Sequence, residues 1–305
     1  MKLLLTILLD DLLPIFVVAS VGFLLARRLR VDVKSLSRVT FNALAPCLVF
    51  SLLVTSTVSS GEFGRLVAFT VLLVAALGLA ARVAAIPFHL TRPQLAAFLI
   101  VVMFSNAGNY GLSVVLFAFG REVLARAVVY FVTSALLMYT VGTWLASSGH
   151  HGGRAALGGL VRVPAVWGLA AAALVVATGV ELPRAVSRPI GLLGDAAIPS
   201  MLLVLGMQFE KGARPERPAL VALASALVLL GSPLIGFLLA PALGLTGPAR
   251  QAMLVESAMP SAVITTIVAL EFDVAPRFVT SVVVVTTLAS PLTVSILIAL
   301  LQSGF

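Results

Sequence analysis

The chain has 305 residues, 60% of them hydrophobic and only 10% charged, with a mean hydropathy of +1.14. A water-soluble protein carries about 25% charged residues, so a soluble globular domain is excluded, and the long unbroken apolar runs indicate membrane-spanning helices rather than alternating barrel strands. The net charge of +8 does not point to nucleic acid, because the basic residues are scattered through short loops between apolar runs, where they act as topology signals at the lipid surface.

In chain order, the apolar runs predict ten spans: 8–26, 36–57, 65–86, 94–119, 123–146, 163–180, 188–208, 218–241, 248–270 and 277–301. The first is read as a retained span, not a cleaved signal, because Asp10 and Asp11 interrupt it and Arg27, Arg28 and Arg30 follow it. Loops are short, and the longest, 147–162, separates a first five-span repeat (1–146) from a second (163–305). With the N-terminus outside, 13 of the 20 Lys and Arg residues fall in cytoplasmic loops. The expectation is therefore a cell (inner) membrane protein with both termini on the outer side and a cytoplasmic central loop. The single cysteine, Cys47, leaves no internal disulfide to form.

An odd number of spans per half makes the halves enter the bilayer from opposite sides, so related halves form an inverted repeat. Span two reads "FNALAPCLVFSLL" and span seven "LGDAAIPSMLLVLG"; Asn42 precedes Pro46 by four residues, as Asp195 precedes Pro199, at an offset of 153. Pro93 and Pro248, which open spans four and nine, lie 155 apart, and the ends "FAFG" and "LEFD" again lie 153 apart. The fold class expected is all-α and integral to the membrane, a 5+5 inverted repeat.

Span four carries "FSNAGNYGLS" in its middle. Ser105, Asn106, Gly108 and Asn109 are helix-interrupting or hydrogen-bonding residues at the depth where lipid offers no partners. Span nine has "VESAMPSAV" at the corresponding depth, where Pro260 removes a donor and forces a kink. Helices broken at corresponding points of an inverted repeat mark a binding site. The second half of a broken helix begins with free N–H groups and partial positive charge, suited to a carboxylate, while free carbonyls and Asn, Ser or Glu oxygens suit a cation. The substrate-binding candidates are Asn42, Ser105, Asn106, Gly108, Asn109, Asp195, Met259, Pro260 and Ser261. The ion-coupling candidates are Glu256, Asn106 and Asp195, with sodium or a proton as the coupling ion and no other cofactor expected. Two readings stay open for the polar residues near prolines: Asn42 and Asp195 either face the pocket or bond the backbone that Pro46 and Pro199 free.

These motifs, with "LSRVTFNALAPCLVFSLL" and "LGDAAIPSMLLVLGMQF", resemble the bacterial members of the auxin efflux carrier family, within the wider group that holds the bile acid:sodium symporters. The resemblance runs through all ten spans. It implies a crossed-helix fold in which spans three to five and eight to ten form a moving transport unit. Spans one, two, six and seven form a scaffold, through which related carriers dimerise. It also implies elevator-type transport of organic anions. The plant members carry Asn-Pro-Asn at both breaks, whereas this chain has Asn106-Ala107-Gly108-Asn109 and Met259-Pro260-Ser261. The missing asparagine in the second break argues against auxin itself.

Other features carry simpler readings. His89, His150 and His151 sit in loops without partner carboxylates, so no metal site is expected. Trp144 and Trp167 read as interfacial anchors, Tyr110 as packing, and the methionines, Met207 and Met259 included, are most simply core filler. No nucleophile–base pair, HExxH or phosphate loop is present, so an enzyme and an ATP-driven pump are not expected. A channel and a non-transporting sensor on the same fold are the alternatives to a secondary transporter.

Overall fold

The first helix, α1, spans Leu3–Leu29 in the computed structural model, which describes residues 2–148, 163–208 and 217–303. It starts five residues before the expected boundary because Asp10 and Asp11 do not end it: they sit in a wider π-turn, Ile7–Leu12, that keeps the rod continuous. It stops at Arg30, which takes the left-handed conformation. Asp32 then caps α2 (Val33–Val54), accepting from the Lys34 and Ser35 amides and the Ser35 hydroxyl. Those donors hold the Asp32 carboxyl below its ordinary value.

Ser59 caps α3 (Ser60–Ala84), and a Thr91–Gln94 capping box opens α4 (Arg92–Met103). After an interruption, a π-turn (Ala107–Gly111) leads into α5 (Leu112–Leu137). Gly120, at φ 78°, divides α5 in a conformation that only glycine adopts without strain. A further π-turn joins it to α6 (Thr143–Ser148). Beyond the central loop come α7 (Pro164–Thr178), α8 (Arg184–Gln208), α9 (Pro218–Ala242), α10 (Gly247–Ser257), α11 (Ile264–Glu271) and α12 (Pro276–Gln302). Several begin with a proline in the first turn, where its missing N–H leaves no donor wanting.

Among the described residues, six helices (α1, α2, α3, α8, α9 and α12) are long and apolar enough to cross a membrane, and α4 and α7 are shorter apolar helices. No strand occurs there beyond one isolated bridge. His150, His151 and most of the central loop lie outside the described residues.

Glycines set two close crossings. A Cβ on Gly22 of α1 would stand 2.1 Å from the Leu203 carbonyl oxygen of α8, and one on Gly206 of α8 would stand 1.7 Å from the Ala19 oxygen of α1. On α7, a Cβ at Gly168 would meet the Pro46 oxygen of α2 at 2.4 Å. Small residues here let backbones touch, which is how membrane helices gain packing energy when lipid removes the hydrophobic drive.

A buried ion pair ties α3 to α5. Arg126 Nε donates to Glu62 Oε1 at 2.5 Å, Nη2 donates to Oε2 at 3.3 Å, and the two side chains are 8% and 15% exposed. Removing one partner of a buried pair strands the other charge and costs about 3–5 kcal/mol. Because Glu62 keeps some exposure, Arg126→Met is expected to fall at the low end, about 3 kcal/mol. Thermal unfolding in detergent checks this, and the double variant Arg126→Met/Glu62→Leu is expected to recover most of the loss.

Candidate functional site

The helix that begins at Arg92 ends at Met103 and resumes at Ala107; the one that begins at Gly247 ends at Ser257 and resumes at Ile264. The two interruptions lie against each other. Ser105 and Ser261 form an antiparallel bridge, with Asn106 N donating to the Pro260 oxygen at 2.7 Å and Ala262 N donating to the Phe104 oxygen at 2.9 Å. Each break thus supplies partners for backbone that hydrocarbon would leave unpaired. Side chains complete the accounting: Ser261 Oγ donates to the Val101 oxygen near the end of α4, and Ser261 N donates to Thr286 Oγ1 of α12.

The glycines of the first break have particular neighbours. A Cβ at Gly108 would lie 2.8 Å from the Phe131 ring, and one at Gly111 would lie 2.2 Å from Glu256 Oε2. Glu256 is fully buried, and neither of its oxygens has a hydrogen-bond partner among the described residues. Burying an ionised carboxylate without a partner is strongly disfavoured.

Beside the paired breaks lies a cavity of about 290 Å³. Both restarting helices open onto it, through Ala107, Gly108 and Asn109 on one side and Ala262, Val263 and Ile264 on the other. Helix starts carry unpaired N–H groups and partial positive charge. Asn106 Nδ2, a donor, and Asn109 Oδ1, an acceptor, are buried without a partner among the described residues, so each amide keeps hydrogen-bonding capacity in reserve. Phe41, Phe104, Phe131, Met138 and Ile267 make much of the remaining wall apolar. Such a site can hold a small amphipathic molecule with an anionic head.

The sequence profile of a family described as membrane transport protein matches residues 7–156 and 153–298. The chain belongs to that family. This transporter family is the one whose resemblance runs through the sequence motifs. The transporter is 27% identical over 262 residues to an uncharacterized transporter of Methanothermobacter thermautotrophicus, covering 85% of this chain and 86% of the relative. It is 25% identical over 213 residues to an uncharacterized transporter of Methanocaldococcus jannaschii, covering 68% of this chain and 69% of the relative. The protein is therefore a multi-pass membrane transporter and not an enzyme.

Of the transporter's expected substrate contacts, Asn42, Ser105, Asn106, Gly108 and Asn109 line the cavity. Asn42 also donates its Nδ2 to the Arg38 oxygen at 2.8 Å, one turn earlier, and not to backbone near Pro46. Met259, Pro260 and Ser261 are buried but do not line it; the break they form acts through its backbone, with Pro260 O accepting from Asn106.

Asp195 departs from expectation. Its side chain is 63% exposed, pairs with Arg121 at 3.3 Å and does not line the cavity. The reason is local: Arg121 directly follows the Gly120 bend in α5, which brings a guanidinium to Asp195 on α8. The partner the structure gives this acid is the Arg121 guanidinium, and not the backbone near Pro199.

Sequence reasoning passed over Phe131, which packs where Gly108 leaves room, and Gln208, which lines the cavity with a buried Oε1 that has no partner among the described residues. It also passed over Ser113, whose buried hydroxyl lacks a partner one turn after Asn109. A polar residue four positions from a flagged asparagine is a signal that helical spacing offers.

Proposed function

We propose that the protein is a secondary transporter that carries small organic anions across the cell membrane by an elevator-type movement. The observation that carries this reading is the opening of two helix starts onto one cavity in which two asparagine amides keep unpartnered atoms. A carboxylate gains from both fields and from the Asn106 Nδ2 donor, with no acid among the described lining residues to repel it, while the Asn109 Oδ1 is free to accept from a substrate N–H or O–H.

Ten spans in a 5+5 inverted repeat account for the contacts. The halves of spans four and nine are α4 with the start of α5, and α10 with α11. Exchanging the bonded residues Phe104 with Pro260 and Asn106 with Ala262, at an offset of 156, turns one bridge hydrogen bond into the other. Span one packs on span seven as α1 on α8, and its repeat-related pair, span six on span two, packs as α7 on α2. In this reading α1, α2, α7 and α8 are the scaffold and dimer surface. The transport unit holds α3 to α6 and α9 to α12. Both termini face outward, and residues 147–162 lie in the cytoplasm. Glu256 couples transport to sodium or protons by taking the cation that its burial demands.

The test is a thermal-shift screen of organic acids and their neutral amides against purified protein, followed by uptake of each hit in proteoliposomes. Stabilisation by acids but not amides, and saturable uptake reduced about tenfold or more in Asn106→Ala, whose Nδ2 is the free donor, is expected; losing one charge-assisted hydrogen bond of about 1.5–3 kcal/mol has that effect. Binding without flux would make the protein a sensor, and flux that never saturates would make it a channel.

A further inference from the structure

Among the described residues that line the cavity, Arg38 alone is charged. It lies on α2 one turn before Asn42, is exposed, and its carbonyl anchors the Asn42 amide. Arg121 pairs with Asp195 and Arg126 with Glu62 and Glu122, whereas Arg38 has no ion-pair partner among the described residues. Glu271 lies one turn beyond the lining residue Ile267 on α11 and does not line the cavity. By sequence alone, Arg38 counts among the basic residues that set topology.

A single cation at the mouth of a cleft with apolar walls acts beyond its contact distance, because low-dielectric walls confine its field to the opening. The arrangement is graded: an exposed guanidinium at the rim, aromatic and aliphatic walls between, amides and helix starts inside. We infer that Arg38 is a specificity-determining residue: it sets the sign of the solutes the cavity admits, drawing anions in and holding cations out. This rests on the transport reading, of which it names the entry determinant. Charge is the operative property, so lysine serves in its place and glutamine does not.

The experiment needs no knowledge of the substrate. Cys47, the chain's one cysteine, does not line the cavity, so a Cys47→Ala background allows a single reporter thiol at Ala135→Cys, a half-buried lining position on α5. Its modification rates by the anionic sulfonatoethyl and the cationic trimethylammonioethyl methanethiosulfonates are compared, each normalised to a free thiol. One unit charge several ångströms away in water changes each rate about two- to threefold in opposite directions, so Arg38→Gln is expected to lower the anion-to-cation ratio about fivefold. Arg38→Lys should stay within about twofold of the parent by the same arithmetic, and Glu271→Gln should not lower the ratio. A ratio unmoved by Arg38→Gln overturns the inference, as does a folded parent whose reporter reacts with neither reagent. If the ratio falls but no organic anion is bound or carried, the charged entrance stands and the transport reading fails. If anions are carried and the ratio does not move, the reverse holds.

Discussion

Glu256→Gln is expected to abolish gradient-driven accumulation while leaving the protein at least as stable as the parent. The carboxylate is fully buried with both oxygens unpartnered among the described residues, against Gly111 of the first break. A carboxylate held ionised at the bilayer centre costs about 2.5–3.5 kcal/mol; the neutral amide of the same shape avoids that cost and needs no cation. If the parent takes up one proton or one sodium ion with each substrate, a tenfold gradient of that ion is worth about 1.4 kcal/mol and drives about tenfold accumulation. Proteoliposomes carrying Glu256→Gln should then equilibrate substrate without concentrating it. Imposing the sodium and proton gradients separately identifies the ion. A variant that still concentrates substrate under either gradient would remove Glu256 from coupling, and a parent indifferent to both would remove coupling itself.

The breaks were legible because their residues are costly in lipid for reasons that need no structure. Asn106, Gly108 and Asn109 in one span and Pro260 in another have no place in a plain membrane helix, and the chain leaves helical geometry beside them. Glu256 stood out by the same logic. Asp195 misled because sequence shows depth along a helix and not direction around it. Its apolar neighbours suggested the interior, whereas the Gly120 bend puts Arg121 within 3.3 Å of it on an exposed face. Arg38 lines the cavity, which sequence does not announce, since a basic residue near a helix start reads equally as a topology signal. The partners of Gly22 and Gly206 lie more than 180 residues away in the chain, and no local pattern announces them.

Gly206→Val is expected to prevent stable assembly of the folded protein. An added Cβ would stand 1.7 Å from the Ala19 oxygen and 2.5 Å from its carbonyl carbon, distances that no side-chain rotation relieves because the obstacle is backbone. Gly22 on the facing helix is as tightly placed against Leu203, so α1 cannot slide along α8 without a second collision. Overpacking a core costs about 1–3 kcal/mol when side chains can adjust, and more when they cannot; a loss of about 3 kcal/mol or more is a large part of a typical total of about 5–15. Fluorescence-detected size exclusion should show loss of the monodisperse peak. Gly191→Ala supplies the control: it lies on the same helix, a Cβ there meets nothing within 4 Å, and its thermal midpoint should match the parent. Equal tolerance of both substitutions would mean that α1 and α8 do not cross at these glycines.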